Sequence, residues 1–153
     1  MKLKITTNFN FGKLAREMPK IIREYKTEYA KGIEKGSKNK IDRGMLPKLE
    51  DSTKEIRKLR SISGNKPLKA TGNLYNSIKS GVDVVQFLKY GQYHREGFVP
   101  EKIPVKTKNK KILFVNNKKN ISVPSRDFLG ILDETRNNIN KNFRIKVVKS
   151  LKK

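Results

Sequence analysis

Lys13-Leu14-Ala15-Arg16-Glu17-Met18-Pro19-Lys20-Ile21-Ile22-Arg23-Glu24-Tyr25-Lys26-Thr27-Glu28-Tyr29-Ala30-Lys31-Gly32-Ile33 is the stretch on which the fold turns. Leu14, Met18, Ile21, Ile22, Tyr25, Tyr29 and Ile33 recur at spacings of three and four. Residues that far apart share one face of an α-helix, so the stretch is one apolar stripe on a long helix. It begins near Lys13 and ends near Gly36–Gly44. Pro19 lacks an N–H and crowds the preceding turn, so it marks the first turn or a kink. A pair that stacks on nucleic-acid bases is one reading of Tyr25 and Tyr29. At helical spacing inside an apolar stripe, packing in a core or interface is the better supported one.

Outward from this helix the pattern changes. Leu3, Ile5 and Thr7 alternate with Lys2, Lys4 and Thr6, which predicts a strand over 2–7. Residues 44–70 are irregular, punctuated by Gly44, Pro47, Gly64 and Pro67. Within them Ser52-Thr53-Lys54-Glu55 fits a capping box and predicts a short helix from Thr53 to about Leu59. Thr71 reads as the N-cap of a helical turn carrying Leu74, Tyr75 and Ile78, with Gly72 in a tight turn beside a packed neighbour. Val82, Val84, Val85, Phe87, Leu88 and Tyr90 predict a strand over 81–90. Ile112–Val115 predicts a second, and Ile121–Val123 an edge piece ending at Pro124. Asn116–Asn120 reads as a hairpin tip.

A final helix starts near Asp127, as N-cap, with Asp133 and Glu134 where the helix dipole favours acids. Ile131, Thr135, Ile139, Phe143, Val147 and Leu151 form its stripe. Arg144–Val148 reads either as its continuation or as a strand. The fold class expected is α+β in one domain. A small antiparallel sheet from 2–7, 81–90, 112–115 and 121–123 packs with the long N-terminal helix and the C-terminal one. No crossover pattern calls for parallel strands.

The 153 residues carry a formal charge of +23 and are only 35% hydrophobic, so the core is modest. Abundant Lys, Asn and Ile are what an AT-rich genome produces. That bias leaves unexplained why only 14 acids accompany 37 bases. Such a surplus attracts polyanions and opposes self-association at low salt. Cysteine is absent and His94 is the only histidine, so disulfides, thiolate sites and a histidine-rich metal centre are excluded. No apolar run nears the roughly 20 residues of a membrane span, and the first residues lack a signal-peptide core. The chain is expected in the cytosol where it is made.

Catalytic chemistry finds little support. His94 has Asp83, Glu96 and Glu101 near it in sequence, but no nucleophile or metal spacing accompanies them. It reads as a hydrogen-bonding residue in a turn between sheet and loop. Phosphate-binding glycine loops are missing. Acids are too scattered for a metal-dependent nuclease. No catalytic residue, metal or cofactor is expected. Residues 102–120 hold seven lysines and no acid, among them Lys106, Lys108, Lys110, Lys111, Lys118 and Lys119. Seven more bases and no acid follow Glu134. Phosphate, an acidic protein surface and solvent are three open readings for these lysines. Any DNA contact should be to the backbone, because no base-reading motif is present.

Three marked segments follow one another: Pro67-Leu68-Lys69-Ala70-Thr71-Gly72-Asn73-Leu74, then Tyr90-Gly91-Gln92-Tyr93-His94-Arg95-Glu96-Gly97, then Pro124-Ser125-Arg126-Asp127-Phe128-Leu129-Gly130. Their order and spacing resemble the tail-completion (virion morphogenesis) family of tailed bacteriophages. That family has "P-L-x-x-T-G-x-L", "Y-A-x-x-H-x-x-G" and "P-x-R-x-F-L-G" in the same order. The likeness runs from about Arg16 to Gly130, and Thr53 matches a threonine that closes the family's irregular segment. Gly91 stands for a usual alanine, Arg95 for Gln or Glu, and the family's frequent tryptophan is absent, with Leu46 or Leu49 near its place.

The resemblance implies a non-enzymatic virion protein of the neck that forms part of a ring around the DNA path. Its partners would be further copies of itself, neighbouring neck, connector and tail proteins, and packaged DNA through nonspecific phosphate contacts, with no membrane. It would reside in the virion neck, and in the host cytoplasm during assembly. A tail terminator of the same region and a cytosolic nonspecific nucleic-acid-binding protein are the alternatives. Thr71, Gly72, Leu74, Tyr90, His94, Gly97, Pro124, Arg126, Phe128, Leu129 and Gly130 are the structural or interface residues it marks. For Arg126 two readings stay open: a contact to a second subunit or DNA, and an internal salt bridge that fixes a strand-to-helix corner.

Overall fold

A computed structural model describes residues 9–62, 66–106, 112–116 and 122–152. Its architecture is α+β, as the pattern predicts. The long helix α1 spans Phe11–Asp42. Asn10 caps it, its Oδ1 accepting a 2.8 Å hydrogen bond from the Lys13 N–H. Helix α1 runs through Pro19, which lies beyond the first turn, the first of the two positions expected for it. The missing N–H orphans the Ala15 carbonyl on an exposed side of the helix, where water can serve it.

Helix α5, Asp133–Leu151, returns antiparallel along α1. Asn10 N–H donates to the Leu151 carbonyl at one end, and Tyr25 Oη donates to Asn140 Oδ1 further along. Tyr25 packs on Phe143 with ring centroids 4.7 Å apart. Tyr25 and Tyr29 are thus half-buried packing residues, and residues 144–150 are helix. The predicted N-cap at Asp127 is corrected: residues 126–132 form no regular element, and the helix starts at Asp133 with Leu132 in the cap position. Asp127 faces Arg95 instead, at 3.6 Å.

Between these helices lie α2 (Asp51–Leu59), α3 (Asn73–Ser77) and α4 (Tyr90–Glu96). The capping box does not form: Glu50 takes the cap position of α2 without a side-chain bond, and the helix begins before Thr53. The cap position of α3 falls to Gly72 at φ 79°, while Thr71 Oγ1 accepts from Asn73 N–H at 3.4 Å.

The predicted single sheet is two separate antiparallel pairs. Strand β1, Lys79–Ser80, pairs with β2, Val85–Gln86. Only two residues of the 81–90 run are therefore strand. Val82 and Val84 sit exposed at the tip, and Tyr90 opens α4. Strand β3, Lys102–Lys106, pairs with β4, Ile112–Asn116, in the register Lys102↔Asn116 to Lys106↔Ile112. The partner of β4 thus precedes it, rather than following the Asn116–Asn120 segment. Val123 makes a single bridge to Phe98 in place of an edge strand. Residues 2–7 and Ile121 lie outside the described residues.

The core cluster is Ile41, Leu46, Leu74, Ile78 and Phe128, with Leu68, Tyr75, Val85, Phe87 and Leu129 packed on it. It gathers the C-terminal end of α1, the segment after it, α3 and the stretch before α5. No described helix is long and apolar enough to cross a membrane.

Candidate functional site

The three segments singled out in the sequence meet at this core. From the first, Leu74 is 3% exposed. From the third, Phe128 is fully buried and meets Phe87 edge to face, centroids 5.4 Å apart. From the second, Gly91 is buried so tightly that a Cβ there would stand 2.7 Å from the Phe87 ring and 2.8 Å from Leu74. The alanine usual in the resembling family has no room here unless Phe87 moves.

The second and third segments are also joined by backbone. Arg126 N–H donates to the His94 carbonyl at 2.8 Å, and Ser125 Oγ to the Arg95 carbonyl at 2.5 Å. Gly97 makes the approach possible. Its φ of 80° and ψ of 159° suit glycine alone, and a Cβ would come within 2.9 Å of Ser125 N. Pro124 stays exposed. Leu129 and Gly130 continue along α1, where Lys40 Nζ donates to the Leu129 carbonyl and Gly130 N–H to Ser37 Oγ.

Arg126 is 5% exposed. Its guanidinium donates to three backbone carbonyls: Pro47 at 3.3 Å, and Lys48 and Pro124 at 3.5 Å. The expected paired bonds to a carboxylate are replaced by carbonyl dipoles, because the irregular segment after α1 brings its oxygens here. The internal salt bridge at a strand-to-helix corner does not form: Arg126 ties the segment after α1 to the stretch before α5 through backbone carbonyls. Burial pushes the Arg126 pKa down, with Arg57 adding to it and Glu50 opposing.

His94 lies in the last turn of α4, a correction to the expected turn between sheet and loop. Its ring is flanked edge to face by Tyr90 and Phe98. Nδ1 is buried with no hydrogen-bond partner among the described residues. Burial, then the Arg126 charge, lowers its pKa from 6.5. No group of metal-ligating side chains occurs among the described residues. Lys106 ends β3; Lys108, Lys110, Lys111, Lys118 and Lys119 lie outside the described residues.

Two acids of α1 that no motif marks tie it to this corner. Glu34 accepts from Lys38 Nζ at 2.6 Å and from Ser80 N–H and Oγ at 2.8 and 2.7 Å. Asp42 accepts from Lys69 Nζ at 2.6 Å and Tyr75 Oη at 2.7 Å. Only the Glu34–Lys38 pair has a local spacing, four residues along the helix; the other partners lie 27 to 46 residues away.

These shifts set an acid sensitivity. Hydrogen bonds from Lys38 and Ser80 hold Glu34 at about 2, against an ordinary 4.5. Its stabilising contribution is complete above 4.5 and is lost as pH falls through about 2. Asp42 moves the same way from 3.8, chiefly through Lys69 and Tyr75. His94 resists protonation when folded, so stability also declines as pH drops below 6.5. Melting temperature followed downward from neutral pH should fall in two stages. Glu34→Gln should flatten the lower stage and His94→Gln the upper. Unchanged profiles in both variants would remove these assignments.

Comparisons with protein-family models, curated proteins and solved structures give no match for this chain.

Proposed function

We propose that this chain is a non-enzymatic structural protein of a tailed-phage neck, a tail-completion or head–tail joining component that forms part of a ring around the DNA path. The observation that carries the reading is the convergence of its three motif segments on Arg126 and Phe128. Side chains that match a family pattern and also lock one another in a core act through shape. Assembly surface is also available: Val82, Val84, Leu88, Tyr90, Tyr93 and Val99 all stay exposed between residues 82 and 99. Apolar area of that kind is what a subunit contact buries. A ring needs a head-to-tail interface built from two different faces, and this segment supplies one.

The test is to produce phage lacking the chain. DNA-filled heads and separate, complete tails are the expected products, with joining restored by the wild-type chain supplied in trans. Arg126→Lys keeps the charge but loses the planar fork, so it should complement poorly. Full infectious yield without the chain, or its absence from purified particles, overturns the proposal.

A further inference from the structure

The charge of α1 is sorted by the way α5 packs on it. Between residues 13 and 31, Glu17, Glu24 and Glu28 are its only acids. All three turn to the seam with α5: Glu17 accepts from Ser150, and Glu24 and Glu28 from Lys146 at 3.0 and 3.2 Å. Lys13, Arg16, Lys20, Arg23 and Lys31 recur at helical spacing beside that seam, with Thr27 at the intervening position. Arg16, Lys20, Arg23 and Lys31 are exposed. Arg16 Nε reaches only a carbonyl of its own helix, Gly12 at 3.3 Å. None of the five has a carboxylate partner among the described residues.

We infer that this outer face of α1 is a binding surface for the backbone phosphates of duplex nucleic acid. At 1.5 Å per residue the row spans about 27 Å, just under one turn of duplex. Lys13, Arg16, Lys20 and Arg23 are therefore about 5 Å apart along the helix, a spacing suited to a line of phosphates, and Lys31 follows after a gap of about 12 Å. A protein interface is normally centred on a buried aromatic or aliphatic anchor and is poor in lysine. No large apolar residue occupies these six positions, which favours phosphate over an acidic protein. With no aromatic among them to stack on bases, binding is sequence-blind and salt-dependent. The inference goes beyond the neck reading, and its test needs no particle.

The full chain is titrated with a labelled duplex about two helical turns long, at salt between about 50 and 200 mM. A variant carrying Arg16→Gln, Lys20→Gln, Arg23→Gln and Lys31→Gln is compared with a charge-matched one carrying Lys141→Gln, Arg144→Gln, Lys149→Gln and Lys152→Gln. Each lost phosphate contact lowers the slope of log affinity against log salt by about 0.9, so the α1 variant should lose roughly 3–4 and the control much less. Arg16→Lys with Arg23→Lys should keep the slope, which separates charge from a folding defect; melting temperature checks the rest. Equal losses in both quadruple variants would mean bulk charge alone and overturn the inference. So would an unchanged slope in the α1 variant. Loss of binding to polyglutamate with duplex binding intact would assign the face to an acidic protein and overturn it likewise.

Discussion

Phe128→Ala should lower the free energy of unfolding by about 3–5 kcal/mol, the usual cost of truncating a fully buried phenylalanine. Phe128 is 0% exposed and lies among Ile41, Leu46, Leu74 and Ile78, side chains drawn from three separate parts of the chain. Removing the ring takes away its edge-to-face contact with Phe87 and leaves a cavity. The neighbours are poorly able to collapse into it. The backbone on either side is anchored, at Arg126 to the His94 carbonyl and at Leu129 to Lys40. A domain of this size is stabilised by about 5–15 kcal/mol, so the loss is a large fraction. In melting temperature it corresponds to roughly 6–20 °C. Urea denaturation of Phe128→Ala beside Val82→Ala checks it. Val82 is 46% exposed, and its truncation should stay within about 0.5 kcal/mol. A Phe128 variant within 1 kcal/mol of wild type would mean that the motif segments are not the centre of the core.

Gly36→Ala should also destabilise, although alanine is the better helix former. A Cβ at Gly36 would collide with the Gly130 carbonyl oxygen and stand 3.0 Å from the Ile131 Cα. These are backbone atoms, and the Gly130 amide is held by Ser37, so no rotamer change relieves the clash. Overpacking costs about 1–3 kcal/mol, and rigid neighbours place this case at the upper end. The gain in helix propensity, about 0.5–1 kcal/mol, only partly offsets it. Gly12→Ala is the matched control: its nearest neighbour would be Asn10 Oδ1 at 3.7 Å, an ordinary contact. Opposite signs, with Gly36→Ala less stable and Gly12→Ala unchanged or slightly more stable, are expected in the same denaturation series. A neutral Gly36→Ala would show that residues 128–131 are free to move off α1.

The same close approach explains where the reading of the sequence stopped. The α+β class, both long helices, the short helix before Leu59, the turn at Thr71–Ile78 and the strand at Ile112 were legible. Their signals are local: apolar spacings of three and four or of two, and turn residues a few positions from the element they bound. The start of α5 was not legible. Asp127 has a cap's chemistry, but the segment before α5 is held out of the helix by Ser37 and Lys40 of α1 and by the carbonyls after it. Tertiary contacts outweighed a cap worth about 1 kcal/mol. Of the run 82–90 only Val85–Gln86 is strand, and Tyr90 enters α4, because Gly91 lets a helix sit directly on Leu74 and Phe87.

By itself, then, the sequence determined the two long helices, the three segments and the charge surplus, since each is carried by the chain's local pattern or composition. The tertiary structure alone decided that Arg126 binds the carbonyls of Pro47 and Lys48, 79 and 78 residues distant. It also decided which side of α1 keeps its cations, because α5 supplies partners for the acids from more than a hundred residues further on. No spacing rule encodes such pairs: the chain brings them together only when burial of the shared core outweighs the entropy of ordering the segments between them.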